Sequence, residues 1–365
     1  MKKNSIILIF ILLFNFQSFA QTVPQKVAKG EEAWRYLKQA EDFYEAADYG
    51  NAFSYAEKAK QIKKNDCDWQ VYQLESLMKK SRIRRVGTQL DLFMRELQSL
   101  NMNVQLDIIN YHLEKKGHEY FKNDYNIVFD YVSNYFQYPE ADLLMAKIYF
   151  LEGENEIALN YLANAYKNYR YLDVPLQKYD ILNEMAKISF TMQNYDDYEK
   201  YLLLIVADNE FYNDQNFMNA IINLIDDKAD SLEKFFLLYR CQNLIGLSSL
   251  IELSEYYRDF GYAEKALKCS ALASIIAVTR IDDVLKQRIR TYEYKNLSTL
   301  FILSSNYSDI VDWGNENNIW KLFYDFADIA ALNGKLIFAR NLYTVLAQDV
   351  PEDYWKVMSE QKLIK

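Results

Sequence analysis

Residues 139–172, PEADLLMAKIYFLEGENEIALNYLANAYKNYRYL, decide the fold. Apolar and small residues recur in this stretch at helical spacing on both sides of Gly153. Ala146, Ala158 and Ala165 place a small side chain where two antiparallel helices would cross, which leaves room for a large side chain of the partner helix. The stretch therefore predicts two amphipathic helices joined by a tight turn.

The same 34-residue pattern recurs along the chain. Units with matching small and aromatic positions begin at Ala33, Leu247 and Trp320, and a more degenerate unit begins at Tyr179. Because Tyr179 and Leu247 lie two repeat lengths apart, there is room for one more divergent unit in residues 213–246. The chain has only 9 Gly and 4 Pro, a composition too poor in turn residues for a sandwich, a barrel or a nucleotide-binding sheet.

Glycine supports the repeat assignment. Gly153, Gly261 and Gly334 all occupy the same position of their units, between the two helices. A helix bundle without repeats would scarcely place three of its few glycines in this way.

The units resemble the tetratricopeptide repeat, a helix-turn-helix module of 34 residues. The resemblance implies an all-α fold, an α-solenoid in which each repeat buries its apolar face only against its neighbours. On this basis we expect TPR-like repeats at residues 33–66, 139–280 and 320–353, divergent helical hairpins at 67–138, longer atypical helices at 281–319 and a capping helix at 354–365.

The resemblance also implies a function. In such proteins the first helix of each repeat lines a concave groove that binds a peptide or helix of a partner, and no chemistry is performed. By family position, the groove-lining residues would be Trp34, Leu37, Glu41, Tyr44, Leu143, Lys147, Phe150, Asn183, Lys187 and Phe190. In the subset of the family that clamps a terminal carboxylate, lysine and asparagine stand where this chain has Leu37 and Glu41, so that specialised activity is not expected.

The N-terminus predicts export. Lys2 and Lys3 precede an apolar run, and small residues end at Ala20, which is the layout of a secretory signal peptide over residues 1–20 cleaved after Ala20. A short linker at residues 21–32 would follow. The apolar run is too short to span a bilayer and no later segment is long enough. We therefore expect a periplasmic or otherwise extracytoplasmic protein without a transmembrane segment after signal cleavage. The formal net charge of −9 argues against generic nucleic-acid binding, because nucleic acid is itself negatively charged.

Residues suited to catalysis are few. His112 and His118 are the two histidines, and their spacing does not place two ligands on one helix face; we expect both on exposed helix surface and expect no metal and no cofactor. The sequence has no nucleophile elbow or phosphate-binding loop. The enzyme alternative is a helical envelope enzyme that cleaves glycan or peptidoglycan with paired carboxylates. Such enzymes carry glycine-rich and tryptophan-rich loops around the catalytic acid, and this chain has few of either residue, so a non-catalytic protein is the favoured interpretation.

Two further features each leave two interpretations open. A basic cluster, Lys79, Lys80, Arg82, Arg84 and Arg85, would either dock an acidic partner or anionic lipid, or form a solvated helix junction, which we favour. Cys241 and Cys269 would either pair as a disulfide or remain buried reduced thiols, and we favour the thiols.

The sequence thus predicts an exported scaffold that binds another envelope protein, for example in outer-membrane assembly, cell-wall synthesis or a periplasmic flagellar collar.

Overall fold

A computed structural model describes residues 23–80 and 89–364 of the 365-residue chain. The part of the chain that it describes is all-helical, with 3-10 turns at His118–Phe121 and Tyr169–Tyr171 and no β-strand. The α-helices are α1 (Ala33–Glu45), α2 (Tyr49–Lys80), α3 (Leu90–Ser99), α4 (Asn103–Lys116), α5 (Tyr125–Ser133), α6 (Pro139–Leu151), α7 (Asn155–Lys167), α8 (Gln177–Thr191), α9 (Tyr195–Val206), α10 (Glu210–Asn213), α11 (Gln215–Leu224), α12 (Ser231–Leu238), α13 (Leu247–Asp259), α14 (Ala263–Arg288), α15 (Leu297–Ser304), α16 (Ser308–Glu316), α17 (Ile319–Leu332), α18 (Leu336–Asp349) and α19 (Asp353–Ile364).

Each expected repeat contains a helix pair, and the five pairs share one turn. Between α13 and α14, Gly261 has a left-handed backbone with φ 81°. The N–H of Tyr262 donates to the carbonyl of Tyr257 (2.7 Å), and the N–H of Gly261 donates to that of Arg258 (3.1 Å). This is the Schellman arrangement, which satisfies the last carbonyls of a helix. The corresponding residues of the other pairs are Ala47 (φ 58°), Gly153 (φ 83°), Gln193 (φ 59°) and Gly334 (φ 76°), and each of those pairs makes the same two hydrogen bonds.

The same turn also joins α3 and α4, where no repeat is evident in the sequence. Asn101 has φ 54°, and the N–H of Met102 donates to the carbonyl of Leu97 at 3.0 Å. Asparagine tolerates the left-handed region better than most residues, so it replaces glycine here. The expected hairpin within residues 67–138 is therefore present and has the local geometry of the glycine-marked pairs.

The chain divides into two compact units, one ending at Leu144 and the other beginning at Met145. In the first unit, α1 packs on the N-terminal half of α2, where Ala52, Ala56 and Ala59 are fully buried. α4 and α5 also pack on α2. The expected repeat boundary at residue 66 is wrong as a structural boundary, because α2 continues without a break to Lys80.

His112 is buried in this unit, so the expectation that it lies on exposed helix surface is wrong. Its Nε2–H donates to Gln70 Oε1 (2.7 Å), and its ring packs edge-on against the rings of Tyr131 and Tyr135. The hydrogen bond satisfies one ring nitrogen and the aromatic contacts pack the ring, while Nδ1 is buried without a hydrogen-bond partner. Burial, with the nearby Lys115 and Lys63 charges, lowers the pKa of His112 to about 3. His118 is exposed, as expected.

In the second unit, the second helix of each pair packs against the first helix of another pair. α7 packs on α8, α9 on α13, and α14 on α17; α18 then packs on the terminal helix α19. Trp355 of α19 contacts the ring of Tyr324 of α17, with the ring centroids 5.2 Å apart. α19 thus covers the last pair, in the place expected for a capping helix.

Two segments leave this succession. α9 and α13 contact each other directly, so residues 213–246 do not form a further pair stacked between them, contrary to the repeat count. α11 and α12 instead pack on α14 and α18. Residues 281–319 form the expected longer helices only in part. The long helix α14 extends into this segment as far as Arg288, but α15 and α16 are short, with 8 and 9 residues. α15 likewise packs on α14 and α18.

The cysteines are buried free thiols, including Cys241 and Cys269. Burial raises the pKa of the Cys241 thiol to about 11 and that of Cys269 to about 12. Both therefore stay protonated at neutral pH and act as small apolar side chains, as the favoured interpretation holds.

Candidate interaction surface

Two of the expected groove-lining residues belong to the interior. Leu37 and Leu143 are only 7% and 8% exposed, and their expected place in an open groove is wrong. Each lies three residues before a buried alanine, Ala40 and Ala146, on the same helix face. A large apolar side chain on that face is directed into the core, where its burial stabilises the fold.

The remaining expected residues of α1 keep accessible surface. Trp34 is 55% exposed, and Glu41 and Tyr44 are half-buried. Lys38 Nζ lies 3.7 Å from a carboxylate oxygen of Glu41, and the ring of Tyr44 packs on that of Tyr49. These are common surface contacts and do not by themselves form a site.

α8 presents a continuous accessible face. Asn183, Lys187 and Phe190 follow one another at intervals of four and three residues, so they lie along one side of the helix. We call these three residues the α8 strip. Lys187 is exposed, and its Nζ lies 5.1 Å from the centre of the Phe150 ring, a cation–π distance. Lys147, on the same helix as Phe150, is half-buried.

An aromatic cluster continues the strip at Phe190. The aromatic ridge consists of Phe190, Tyr195, Tyr198, Tyr256 and Phe260. Phe190 lies 5.1 Å from the ring of Tyr198, and Phe260 lies 5.0 Å from Tyr195 and 4.7 Å from Tyr256, between centroids. These spacings are typical of attractive aromatic pairs.

The ridge has an exposed rim and a fixed base. Phe190 is 51% and Phe260 49% exposed, whereas Tyr198 and Tyr256 are buried. The hydroxyl of Tyr198 donates to Glu252 (3.3 Å), and burial raises the pKa of that tyrosine, so the donor remains protonated. Rigid aromatic rings held in this way lose little entropy when they bind a partner.

A pocket of about 260 Å³ lies at the other end of the strip. Asn183 of α8 lines it, with Tyr179, Leu244, Trp313 and Asn317 among the other lining residues. The residues that line it carry no formal charge. The Oδ1 atom of Asn183 is buried and accepts no hydrogen bond.

The matching face of the next pairs is already occupied by ion pairs. Arg258 of α13 donates to Asp325 of α17 at 2.7 Å. Lys321 of α17 lies 3.1 Å from Asp325 and also pairs with Glu255 of α13. These side chains are joined across the two helices. On α8, by contrast, Lys187 pairs within its own helix, where its Nζ lies 3.7 Å from a carboxylate oxygen of Glu184.

Part of the basic cluster lies outside the described residues. α2 ends at Lys80, shortly after Lys79, while Arg82, Arg84 and Arg85 lie outside the described residues, as does the expected signal peptide. Among residues 23–80 and 89–364 there is no grouping of histidine, cysteine or carboxylate side chains that could hold a metal. Over the same residues no helix is both long and apolar enough to cross a bilayer.

An all-helical protein made of paired helices, with an open strip on α8, is thus defined by the described residues. No family model matches the chain. It is 30% identical over 330 residues to an uncharacterized protein of Treponema pallidum (strain Nichols), a match that covers 88% of this chain and 87% of that protein. The chain belongs to the same family as that protein.

Proposed function

We propose that this chain is a non-catalytic protein–protein interaction scaffold of the bacterial cell envelope, an α-solenoid of TPR-like repeats that binds a peptide or helix of a partner protein. The single observation that carries the proposal is the α8 strip, with a pocket at Asn183, a lysine in its middle and an aromatic ridge at Phe190. The residues that contribute most to binding at protein–protein interfaces are often aromatic side chains near the centre of the interface. The aromatic ridge has this composition.

Two further observations support this function. The shared Schellman turn gives five helix pairs the same local geometry at matched sequence positions, which is the property of a repeat protein. The second helix of each pair packs on the first helix of another in the second unit, as solenoid stacking requires.

Export is part of the proposal and has its own test. The mature chain would begin at Gln21 after removal of residues 1–20. Sequencing the N-terminus of the protein purified from its native cells tests this directly. A chain that retains its first residues and remains with cytoplasmic markers on fractionation would contradict export.

The binding function is tested by affinity purification from intact envelope, with mass spectrometry of the proteins that co-purify. We expect one envelope protein to be recovered with the wild-type chain and with Leu332→Ser, but not with Phe190→Ser. Leu332 is a matched control, because it is a large apolar residue, 63% exposed, near the end of the first helix of another pair. Recovery of no partner, together with turnover of purified glycan by the isolated protein, would instead favour the enzyme.

A further inference from the structure

Glu252 of α13 lies beside the aromatic ridge and forms no ion pair. Its carboxylate accepts a hydrogen bond from the hydroxyl of Tyr198 at 3.3 Å, and its side chain is exposed. In the described part of the chain no lysine or arginine pairs with it, because Lys321 pairs instead with Glu255 and Asp325. Glu252 therefore offers an accessible negative charge at the edge of the ridge.

Three other tyrosines of the second unit also donate to a carboxylate, and in each case a lysine completes the site. Tyr257 donates to Glu199 at 2.5 Å, and the Nζ atom of Lys265 lies 3.0 Å from the same carboxylate oxygen and 4.7 Å from the centre of the Tyr257 ring. Each lysine thus joins an ion pair to a cation–π contact. The other two sites consist of Tyr179, Asp208 and Lys178, and of Tyr343, Asp328 and Lys362.

The pair formed by Tyr198 and Glu252 has the tyrosine and the carboxylate of these sites but no lysine. Partial loss of water around Glu252 and the neighbouring charge of Glu255 raise the pKa of Glu252, although the hydrogen bond from Tyr198 opposes this change. An opposite charge within about 4–6 Å favours the ionised form of a carboxyl group. The site therefore suits a positively charged group that comes from another molecule.

The surface next to Glu252 suits a side chain of a protein better than a free cation. The ring of Tyr198 lies 5.1 Å from that of Phe190 and 5.4 Å from that of Tyr256, so the carboxylate adjoins the aromatic ridge. Phe190 and Phe260, at the rim of the ridge, are about half exposed. Apolar residues that flank the cation in a partner segment can pack on these two rings.

We propose that Glu252 binds a lysine side chain of the partner protein, whose ammonium group pairs with the carboxylate beside the Tyr198 hydroxyl while neighbouring apolar residues pack on Phe190 and Phe260. The cation is a lysine because lysine completes each of the three matching sites. This inference rests on the proposed function and specifies the chemistry of the segment that the scaffold recognises.

The test uses the mature full chain and a phage-displayed library of random dodecapeptides as the probe. We expect the selected peptides to share a lysine flanked by large apolar residues. Binding of a selected peptide, measured by fluorescence anisotropy, should weaken at least tenfold in Glu252→Gln, which keeps the shape of the side chain and removes its charge. It should change less than twofold in the matched control Glu156→Gln, at an exposed glutamate of α7.

Acetylation of the peptide lysine separates direct contact from an indirect effect. The acetylated peptide should bind the wild type at least tenfold more weakly than the unmodified peptide does. With Glu252→Gln the two peptides should differ less than twofold, because both changes remove the same interaction. An equal loss on acetylation in both proteins, or selected peptides that share no lysine, would overturn the inference. A wild-type chain that sediments as a dimer, and as a monomer with Glu252→Gln, would assign the cation to a second copy of this chain and would also overturn it.

Thermal melts distinguish recognition from folding. The raised pKa of Glu252 means that its ionisation destabilises the folded chain as the pH rises through that pKa, so at pH 7 Glu252→Gln should melt at or above the temperature of the wild type. A lower melting temperature with the same loss of binding would give Glu252 a structural role and overturn the inference. If the intact chain captures no envelope protein, the proposed function fails; if Glu252→Gln captures the same protein as well as the wild type does, this inference fails alone.

Discussion

The shared turn predicts that substitutions at its left-handed position change the stability of the protein in opposite directions in two helix pairs. Gly261, between α13 and α14, and Gln193, between α8 and α9, both have left-handed backbones, with φ 81° and 59°. Only glycine adopts this region without steric cost. Gly261→Ala should therefore destabilise the protein, whereas Gln193→Gly should stabilise it.

The magnitude follows from the surroundings of Gly261. A Cβ added there would meet no atom within 4 Å, so the backbone conformation is the only source of the cost. A left-handed L-residue costs about 1–2 kcal/mol, while alanine restricts the unfolded chain more than glycine does and returns about 0.5–1 kcal/mol. The net loss is about 0.5–1 kcal/mol. Gln193→Gly should gain about the same amount by the reverse argument.

Equilibrium urea unfolding followed by far-UV circular dichroism measures both changes. The midpoint should fall for Gly261→Ala and rise for Gln193→Gly, with the slope unchanged in each. Gly50→Ala is the matched control, because Gly50 has an ordinary backbone conformation within the first turn of α2 and an added Cβ would meet no atom within 4 Å. If the variants at 261 and 193 shifted in the same direction, the shared turn would be refuted.

Three other predictions test packing and burial. Gly314→Ala should cost about 1–3 kcal/mol in the free energy of unfolding, because a Cβ there would overlap the buried ring of Trp320; a variant that melts like the wild type would contradict this contact. Ala339→Leu should cost about 1–3 kcal/mol, since Ala339 is 2% exposed where α18 packs in the core, and an unchanged melting curve would show that the site has room. Folding lowers the pKa of His112 from 6.5 to about 3, so the unfolded chain binds more protons than the folded chain between these values. The contribution of His112 to the free energy of unfolding is therefore fully present above pH 6.5, and about 2 kcal/mol of it is lost at pH 5. In urea unfolding, His112→Gln should lose less stability than the wild type between pH 7 and pH 5, and equal losses would contradict the depressed pKa.

Alanine and glycine made the helix pairs predictable. Ala146, Ala158 and Ala266 are buried at 0–1% exposure, at positions where small side chains were expected. These residues carry information because only a small side chain permits a close helix crossing, and only glycine enters the left-handed turn freely. The pairs that contain both were therefore the clearest in the sequence.

The features that the sequence did not reveal have physical reasons. Ala47, Gln193 and Asn101 adopt the same turn as the glycines, and their residue types do not announce it. Counting in steps of 34 residues predicted a stacked pair in residues 213–246, but chain length does not say on which neighbour a helix packs. The burial of His112 depends on Gln70, which is 42 residues distant and unrecognisable as its partner from spacing.

The candidate site was predicted only in part. Family position identified Asn183, Lys187 and Phe190, which form the α8 strip, but it also selected Leu37 and Leu143, which are buried. The pocket and the ridge were missed because their residues come from α8, α9, α13, α16 and the loop before α13. The aromatic residues that lie close to the helix turns were the signal in the sequence that could have indicated the ridge.

Site-specific photo-cross-linking in living cells tests the interaction function most directly. A photoreactive phenylalanine analogue at position 187, in the middle of the α8 strip, should give one discrete light-dependent adduct with an envelope protein. The same analogue at position 332, at the end of α17 and 63% exposed in the native residue, should give none. An adduct from position 332 alone, or from neither position, would contradict a binding surface on α8.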